Sequence, residues 1–348
     1  MSPITRRAFL RLLGASLGSA AAGRLITACN LAPAADKATA GADSPLSTIT
    51  LPTPEAFEPL TPTEAQAEAK AEPTAASWPD VAVARGGDDP ALLVERALAA
   101  LGGIGRFVPR DSTVLIKPNI CVAYHTYEYA ATTNPWVVAA LVRLALGAGA
   151  KKVSVLDYGF GGSPEQAYVK SGIQEQVLAA GGEILSVSRL QFLPTDIPQA
   201  LDLRSADIHE AALQSDVVIN VPIAKHHGLA RLTLGMKNLM GVILDRQAIH
   251  RNMGQRLADL TSRIRPSLTV IDAVRILTDN GPTGGSLDDV QKLDTVIASP
   301  DIVAADAYGA TLFGVQPSDL SYIAAGAAMG LGRSDLASLR IEEIAVGG

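Results

Sequence analysis

The run KHHGLARLTLGMKNLMG, Lys225 to Gly241, gathers chemistry into seventeen residues: two Lys, one Arg, two His, one Asn and three Gly. The whole chain has only five histidines. The run follows SDVVINVPIA, an apolar, strand-like segment. Adjacent side chains on extended backbone point to opposite sides. One of His226 and His227 therefore faces a ligand while the other packs, and His227 is the one taken for the site. Lys225 and Lys237 supply positive charge, and Asn238 supplies directional hydrogen bonds. His227 offers a general base or a metal ligand. Gly228, Gly235 and Gly241 let backbone approach a ligand closely. Downstream, DRQAIHRNM carries His250 with Asp245 nearby. His227, His250 and a carboxylate make a candidate divalent-metal site, since imidazole and carboxylate suit Zn, Ni or Fe.

Other polar groups follow other strand-like runs. TVLI leads into Lys117-Pro118-Asn119, VSVL into Asp157 and GFGGSP, and LTVI into Asp272. In α/β sheets ligands bind outside the carboxyl ends of the strands, so these groups are expected to converge on one cleft. Lys117 and Asn119 flank a proline that sets the turn. GFGGSP has the order of a phosphate cradle, with glycines before a helix N-terminus. Pro164 stands where the dinucleotide fingerprint needs its third glycine, and a tight strand-to-helix turn is the better reading. TDNGPTGG, from Thr278, demands a turn and can form a lip of the cleft. Asp306 lies in a helix of small apolar residues, where it orients a cleft lysine or faces solvent. Cys121 is a candidate nucleophile with no matched base in the sequence.

The elements that must position these groups are legible. VAVA (81–84), TVLIKP (113–118), VSVLDY (153–158), EILSV (183–187), DVVINVPI (216–223), LTVIDA (268–273), DTVIAS (294–299) and IEEIAV (341–346) read as strands. Between several of them lie helical patterns, three opening with Asp, Asn or Ser before Pro, which are N-cap and first-turn signals. This alternation predicts an α/β domain over 78–348: a parallel or mixed sheet with helices on both faces, in one body or in two lobes around one cleft. With aromatics at 4%, the composition suits that class better than a β-sandwich. Two cysteines exclude a disulfide framework.

Residues 1–28 read as an address. Arg6-Arg7 before Phe9-Leu10 resembles a twin-arginine export signal. The apolar stretch after it is too short for a comfortable membrane span. ITAC resembles a lipobox, which makes Cys29 the lipidated first residue of an extracytoplasmic lipoprotein. Residues 29–77, rich in Pro, Ala, Thr and Glu, read as a disordered tether. Without residues 1–28 the chain has 25 basic against 35 acidic side chains, which argues against nucleic-acid binding.

VLIKPN, TTNPWVVAALVRLALGAGAKKVSVLD, DVVINVPIAKHHGLARLTLGMKNLMG, GPTGG and VIASPDIVAADAYGATLFG resemble, in that order, the domain of unknown function 362 family across roughly residues 80–345. The resemblance places Lys117, Asn119, Lys225, His227, Lys237, Asn238, Asp272 and Asp306 at the family's motif positions. Many of its members are similar proteins with an appended ferredoxin-like cysteine cluster, implying redox or iron–sulfur chemistry. This chain has no CxxCxxC run, so no intrinsic iron–sulfur cluster is expected. The spacing of His227, Lys237 and His250 also resembles that of nickel-pincer lactate racemases, which implies a lysine-held cofactor with histidines as ligand or base.

The expected function is an enzyme acting on a small anionic substrate, or using a bound divalent metal or other cofactor. Lys117, His227 and Lys237 are the catalytic candidates; Asn119, Lys225, Asn238, Gly235, Asp272 and Asp306 are the binding candidates. The alternatives are an anion- or solute-binding lipoprotein, racemase-like chemistry, and an accessory role beside a redox or transport partner. The membrane is expected as a partner only through the lipid on Cys29.

Overall fold

The computed structural model describes residues 78–347; the export segment, Cys29 and the tether up to residue 77 lie outside the described residues. Twelve strands are described: β1 (Val81–Arg85), β2 (Thr113–Pro118), β3 (Lys152–Val155), β4 (Glu183–Ile184), β5 (Phe192–Asp196), β6 (Ser205–His209), β7 (Val217–Val221), β8 (Ile223–His227), β9 (Arg231–Thr233), β10 (Leu268–Leu277), β11 (Val290–Ser299) and β12 (Ile341–Ala345). The α-helices are α1 (Pro90–Ala100), α2 (Pro135–Gly147), α3 (Pro164–Lys170), α4 (Ile173–Ala179), α5 (Glu210–Gln214), α6 (Gly235–Asn238), α7 (Gln247–His250), α8 (Met253–Ile264), α9 (Ile302–Thr311) and α10 (Ser321–Ala328).

Strand alternation explains why the sheet is covered on both faces. In β1, Val81 and Val83 join one apolar cluster, while Ala82 and Ala84 join the other. Likewise Leu115 in β2 faces the first cluster, and Val114 and Ile116 the second. Helices α1, α2, α3 and α4 supply the second cluster through residues such as Leu93, Val137, Ala167 and Ile173. Helices α8, α9 and α10 supply the first through Leu257, Val303 and Ile323. Each such fully buried aliphatic side chain contributes roughly 1.5–3 kcal/mol.

The result is a mixed ten-stranded sheet in the order β12-β1-β11-β10-β7-β2-β3-β4, with β8 pairing β10 and β9. The strands β10-β7-β2-β3-β4 run parallel, whereas β11 is antiparallel to both β1 and β10. Strands β5 and β6 form a separate two-stranded antiparallel sheet. The described residues lie within one compact unit rather than two lobes. The segment SPEQAYVKSGIQEQVLAAGG, residues 163–182, forms two helices rather than one, with Gly172 in a left-handed φ of 79° between α3 and α4.

The chain leaves β2 toward β3 and β4, then returns to place β7 on the other side of β2. That reversal opens a crevice at the carboxyl ends of β2 and β7. All three X-Pro helix starts are capped as expected: Asp89, Asn134 and Ser163 accept N–H groups from Ala91, Trp136 and Gln166. Among the described residues no helix is long and apolar enough to cross a membrane.

Candidate active site

A cavity of about 460 Å³ lies at this crevice. Lys117, Asn119, Cys121, Asp157, Lys225, His227, Lys237, Asn238 and His250 all contribute to its wall. Gly235, Asp272 and Asp306 do not line it.

Lys117 leaves the end of β2 and is 1% exposed. Its ammonium donates to Asp157 Oδ1 at 2.6 Å, Pro118 O at 2.8 Å and Asn238 Oδ1 at 2.9 Å. The other oxygen of Asp157 accepts from the Ile120 amide. Lys225, on β8 and also 1% exposed, donates to Ala131 O at 2.7 Å, Asn119 Oδ1 at 2.8 Å and Pro282 O at 3.0 Å. An ammonium has three donors, so both lysines are saturated by the protein. They set the local charge, but neither has a hydrogen left for a ligand. The expected catalytic role of Lys117 is therefore replaced in this arrangement by a structural ion pair.

Lys237 differs. It sits in the short helix α6, is 7% exposed, and its one hydrogen-bond partner among the described residues is the Met240 sulfur at 3.1 Å. A thioether is a weak acceptor. Burial, then the neighbouring charge of Lys225, pulls its pKa down to about 8.

Asn238 ties the floor together. Lys225 can only donate, so Asn119 presents its oxygen to it. Asn119 Nδ2 then donates to Asn238 Oδ1 at 3.0 Å, Asn238 Nδ2 to Asn220 Oδ1 at 2.8 Å, and Asn220 Nδ2 to Gly235 O at 3.0 Å. Donor-only at one end and carbonyl at the other, the chain admits one orientation for each amide.

Strand β8 places Lys225 and His227 on one face and His226 on the other. His226 Nδ1 accepts from the Gly281 amide at 3.1 Å and so holds the GPTGG turn. Pro282 of that turn lines the cavity, and its carbonyl accepts from Lys225 and from the Cys121 thiol. His227 Nδ1 accepts from the amides of Leu229 at 3.1 Å and Ala230 at 3.2 Å. Its proton therefore resides on Nε2. Burial, then the charge of Lys237, lowers its pKa to about 3, so the ring is neutral. A ring with Nδ1 occupied and Nε2 protonated is a hydrogen-bond donor. In this state Nε2 presents a proton rather than a lone pair. His250 also lines the cavity, with Nδ1 3.3 Å from Gln247 Oε1. Among the described residues no three His, Cys, Asp or Glu side chains come together as a metal cage.

The remaining candidates are structural. Asp306, on α9, accepts from the amides of Gly235 at 2.6 Å and Met236 at 2.9 Å, capping α6. A β-carbon at Gly235 would approach Asp306 Oδ1 to 2.6 Å, so that glycine serves the cap. Asp272 accepts from the amides of Asn134 at 2.7 Å and Val274 at 3.0 Å, joining β10 to the start of α2. Burial raises the pKa of Asp272 to about 6 and that of Asp306 to about 7. The glycines of GFGGSP let residues 159–162 lie against 120–123: β-carbons at Gly161 and Gly162 would meet Val122 and Ala123 within 2.7 Å.

Sequence reasoning missed part of the wall. Tyr158, Phe160, Thr233, Met240 and Arg246 also line the cavity. The Arg246 guanidinium lies 4.4 Å from the Tyr158 ring centroid and donates to Gly159 O. Its place after the KNLMG run gave no periodic signal; only its charge was visible. Asp245, beside it, spends Oδ1 on the amides of Gln247 and Ala248. The groups left open to a ligand are thus mostly donors: Lys237, His227 Nε2–H and Arg246.

The fold and site define a class: a doubly covered α/β protein with a basic, donor-lined cavity at the sheet's switch point. The chain belongs to the domain of unknown function (DUF362) family, whose profile matches residues 114–311. It is 28% identical over 247 residues to a thylakoid-associated protein of Synechocystis sp., covering 67% of this chain and 73% of that one. Among solved structures it resembles the lactate racemase apoprotein of Thermoanaerobacterium thermosaccharolyticum, with TM-score 0.42 and 11% identity over 66% of this chain. A Thermotoga maritima protein gives TM-score 0.40 and 12% identity over the same share. The chain spans 56% and 60% of the lengths of those two proteins.

Proposed function

We propose that this chain is an enzyme acting on a small anionic substrate. Lys237 is the reacting amine, and His227 and Arg246 are the donors that orient the anion. One observation carries the reading: of three cavity lysines, two are saturated by protein oxygens and Lys237 alone is not. A lysine with a lowered pKa exchanges protons near neutrality, as a general acid or base must. The twin-arginine motif and Cys29 support export and anchoring at the outer face of the cell membrane, which mass spectrometry of the N-terminal peptide tests.

Calorimetry with phosphate, oxalate and pyruvate as probes tests the site. Wild-type protein is expected to bind at least one of them, and Lys237→Met to weaken that binding by roughly tenfold or more, as loss of a charged hydrogen bond does. Equal affinity in both proteins overturns the reading. Binding without proton exchange or turnover of any probe would instead make the chain a solute-binding lipoprotein.

A further inference from the structure

We infer that Lys237 forms an imine with the carbonyl carbon of a small 2-oxo acid or anionic aldehyde. This inference rests on the anion-site reading above and names its substrate class. An amine nucleophile must be reachable, deprotonated and free of competing acceptors. Lys237 lines the cavity and holds no oxygen partner among the described residues. Lys117 and Lys225 fail the last condition, since each spends three hydrogens on protein acceptors. The charge of Lys225 raises the cost of a charge on Lys237, after burial itself. With a pKa of about 8, Lys237 is free amine roughly three hundred times more often near neutral pH than an ordinary lysine.

The cavity suits the other reactant. His227 Nε2–H and Arg246 can take a carboxylate or phosphate. The step balances without a redox partner. The Lys237 nitrogen bonds the carbonyl carbon to give a carbinolamine. Both amine hydrogens then leave with the former carbonyl oxygen as water, and a C=N bond remains. Protonation of the imine nitrogen through its lone pair gives the iminium, which draws electron density from the adjacent carbon and is the form that cyanoborohydride reduces.

The test uses the full chain with pyruvate or glyoxylate and sodium cyanoborohydride, read by intact mass and peptide mapping. One reduced adduct per chain is expected, on Lys237, forming at least roughly tenfold faster than on any surface lysine. Phosphate should compete with it, and Lys237→Arg should abolish it. Labelling confined to surface lysines, with phosphate still bound in a Lys237-dependent way, overturns the imine and leaves the anion site standing. Labelling confined to surface lysines, with phosphate bound equally by wild type and Lys237→Met, overturns both.

Discussion

Gly241 and the Lys117–Asp157 pair occupy adjoining space with nothing to spare: a β-carbon at 241 would lie 1.7 Å from Asp157 Oδ1 and 2.5 Å from Lys117 Nζ. The last glycine of the KNLMG run is thus required by the ion pair, not by a turn or a ligand.

Gly241→Ala should therefore cost about 3 kcal/mol or more, because it splits a buried pair and strands its charges. Gly228→Ala, in the same run, meets nothing within 4 Å and should be close to neutral. Urea unfolding of the two variants checks the contrast; equal midpoints would remove the steric argument.

Asn238→Ala breaks the amide chain at its centre. It leaves Asn119 Nδ2, Asn220 Oδ1 and one donor of Lys117 without a partner. Each buried unsatisfied group costs about 1–3 kcal/mol. Thermal denaturation should show a clear loss of stability, and phosphate affinity should fall as well, since Lys237 is the preceding residue. A variant as stable as wild type would show the network to be dispensable.

His227 makes stability depend on pH. Its folded pKa of about 3 lies below the ordinary 6.5. The unfolded state therefore takes up the proton first as pH falls. The stability involved is present above 6.5 and is lost progressively toward the folded value. His227→Gln should show a shallower fall in Tm between about pH 7 and about pH 5 than wild type. Nitrogen NMR should find the proton on Nε2 near neutral pH; a proton on Nδ1 would contradict the two backbone contacts.

Cys121 should be inert in the folded protein. It is 3% exposed, its thiol donates to Pro282 O, and burial pushes its pKa up against the pull of Lys225. Iodoacetamide should modify the Cys121 peptide roughly a hundredfold more slowly in native than in urea-unfolded protein, since only an accessible thiolate reacts. Rapid native labelling would restore it as a candidate nucleophile.

The fold was legible where burial imposes an apolar pattern. TVLIKP coincides with β2, and the strands at 81, 183, 268 and 341 begin where their β-branched runs begin. DVVINVPI concealed a division: Pro222 interrupts the strand after β7, and β8 resumes beside β10 in the same register before slipping between Ile223 and Lys225. The β5–β6 hairpin was invisible because FLPTD and SADIH are half polar and lie on a surface. At the site, residue type and strand position identified Lys117, Asn119, Lys225, His227, Lys237 and Asn238 as cavity-wall residues. They did not separate saturated lysines from the open one, because half of that difference rests on carbonyls at positions 118, 131 and 282 that carry no side-chain signal, and the rest on how side chains meet in space. Asp272, inside β10, and Asp306, inside α9, do not line the cavity for a related reason: a buried carboxylate can satisfy backbone amides as readily as bind a ligand.

The amide chain from Lys225 to Gly235 has a consequence for traffic through the molecule. Asparagine amides neither release nor accept protons near neutral pH, and each of these three is locked in one orientation by its neighbours. These three amides are thus insulators for protons. Whatever proton Lys237 gains or loses bypasses them and goes by way of the cavity itself, whose wall includes Tyr158, Phe160 and Arg246, so hydration and substrate share that space.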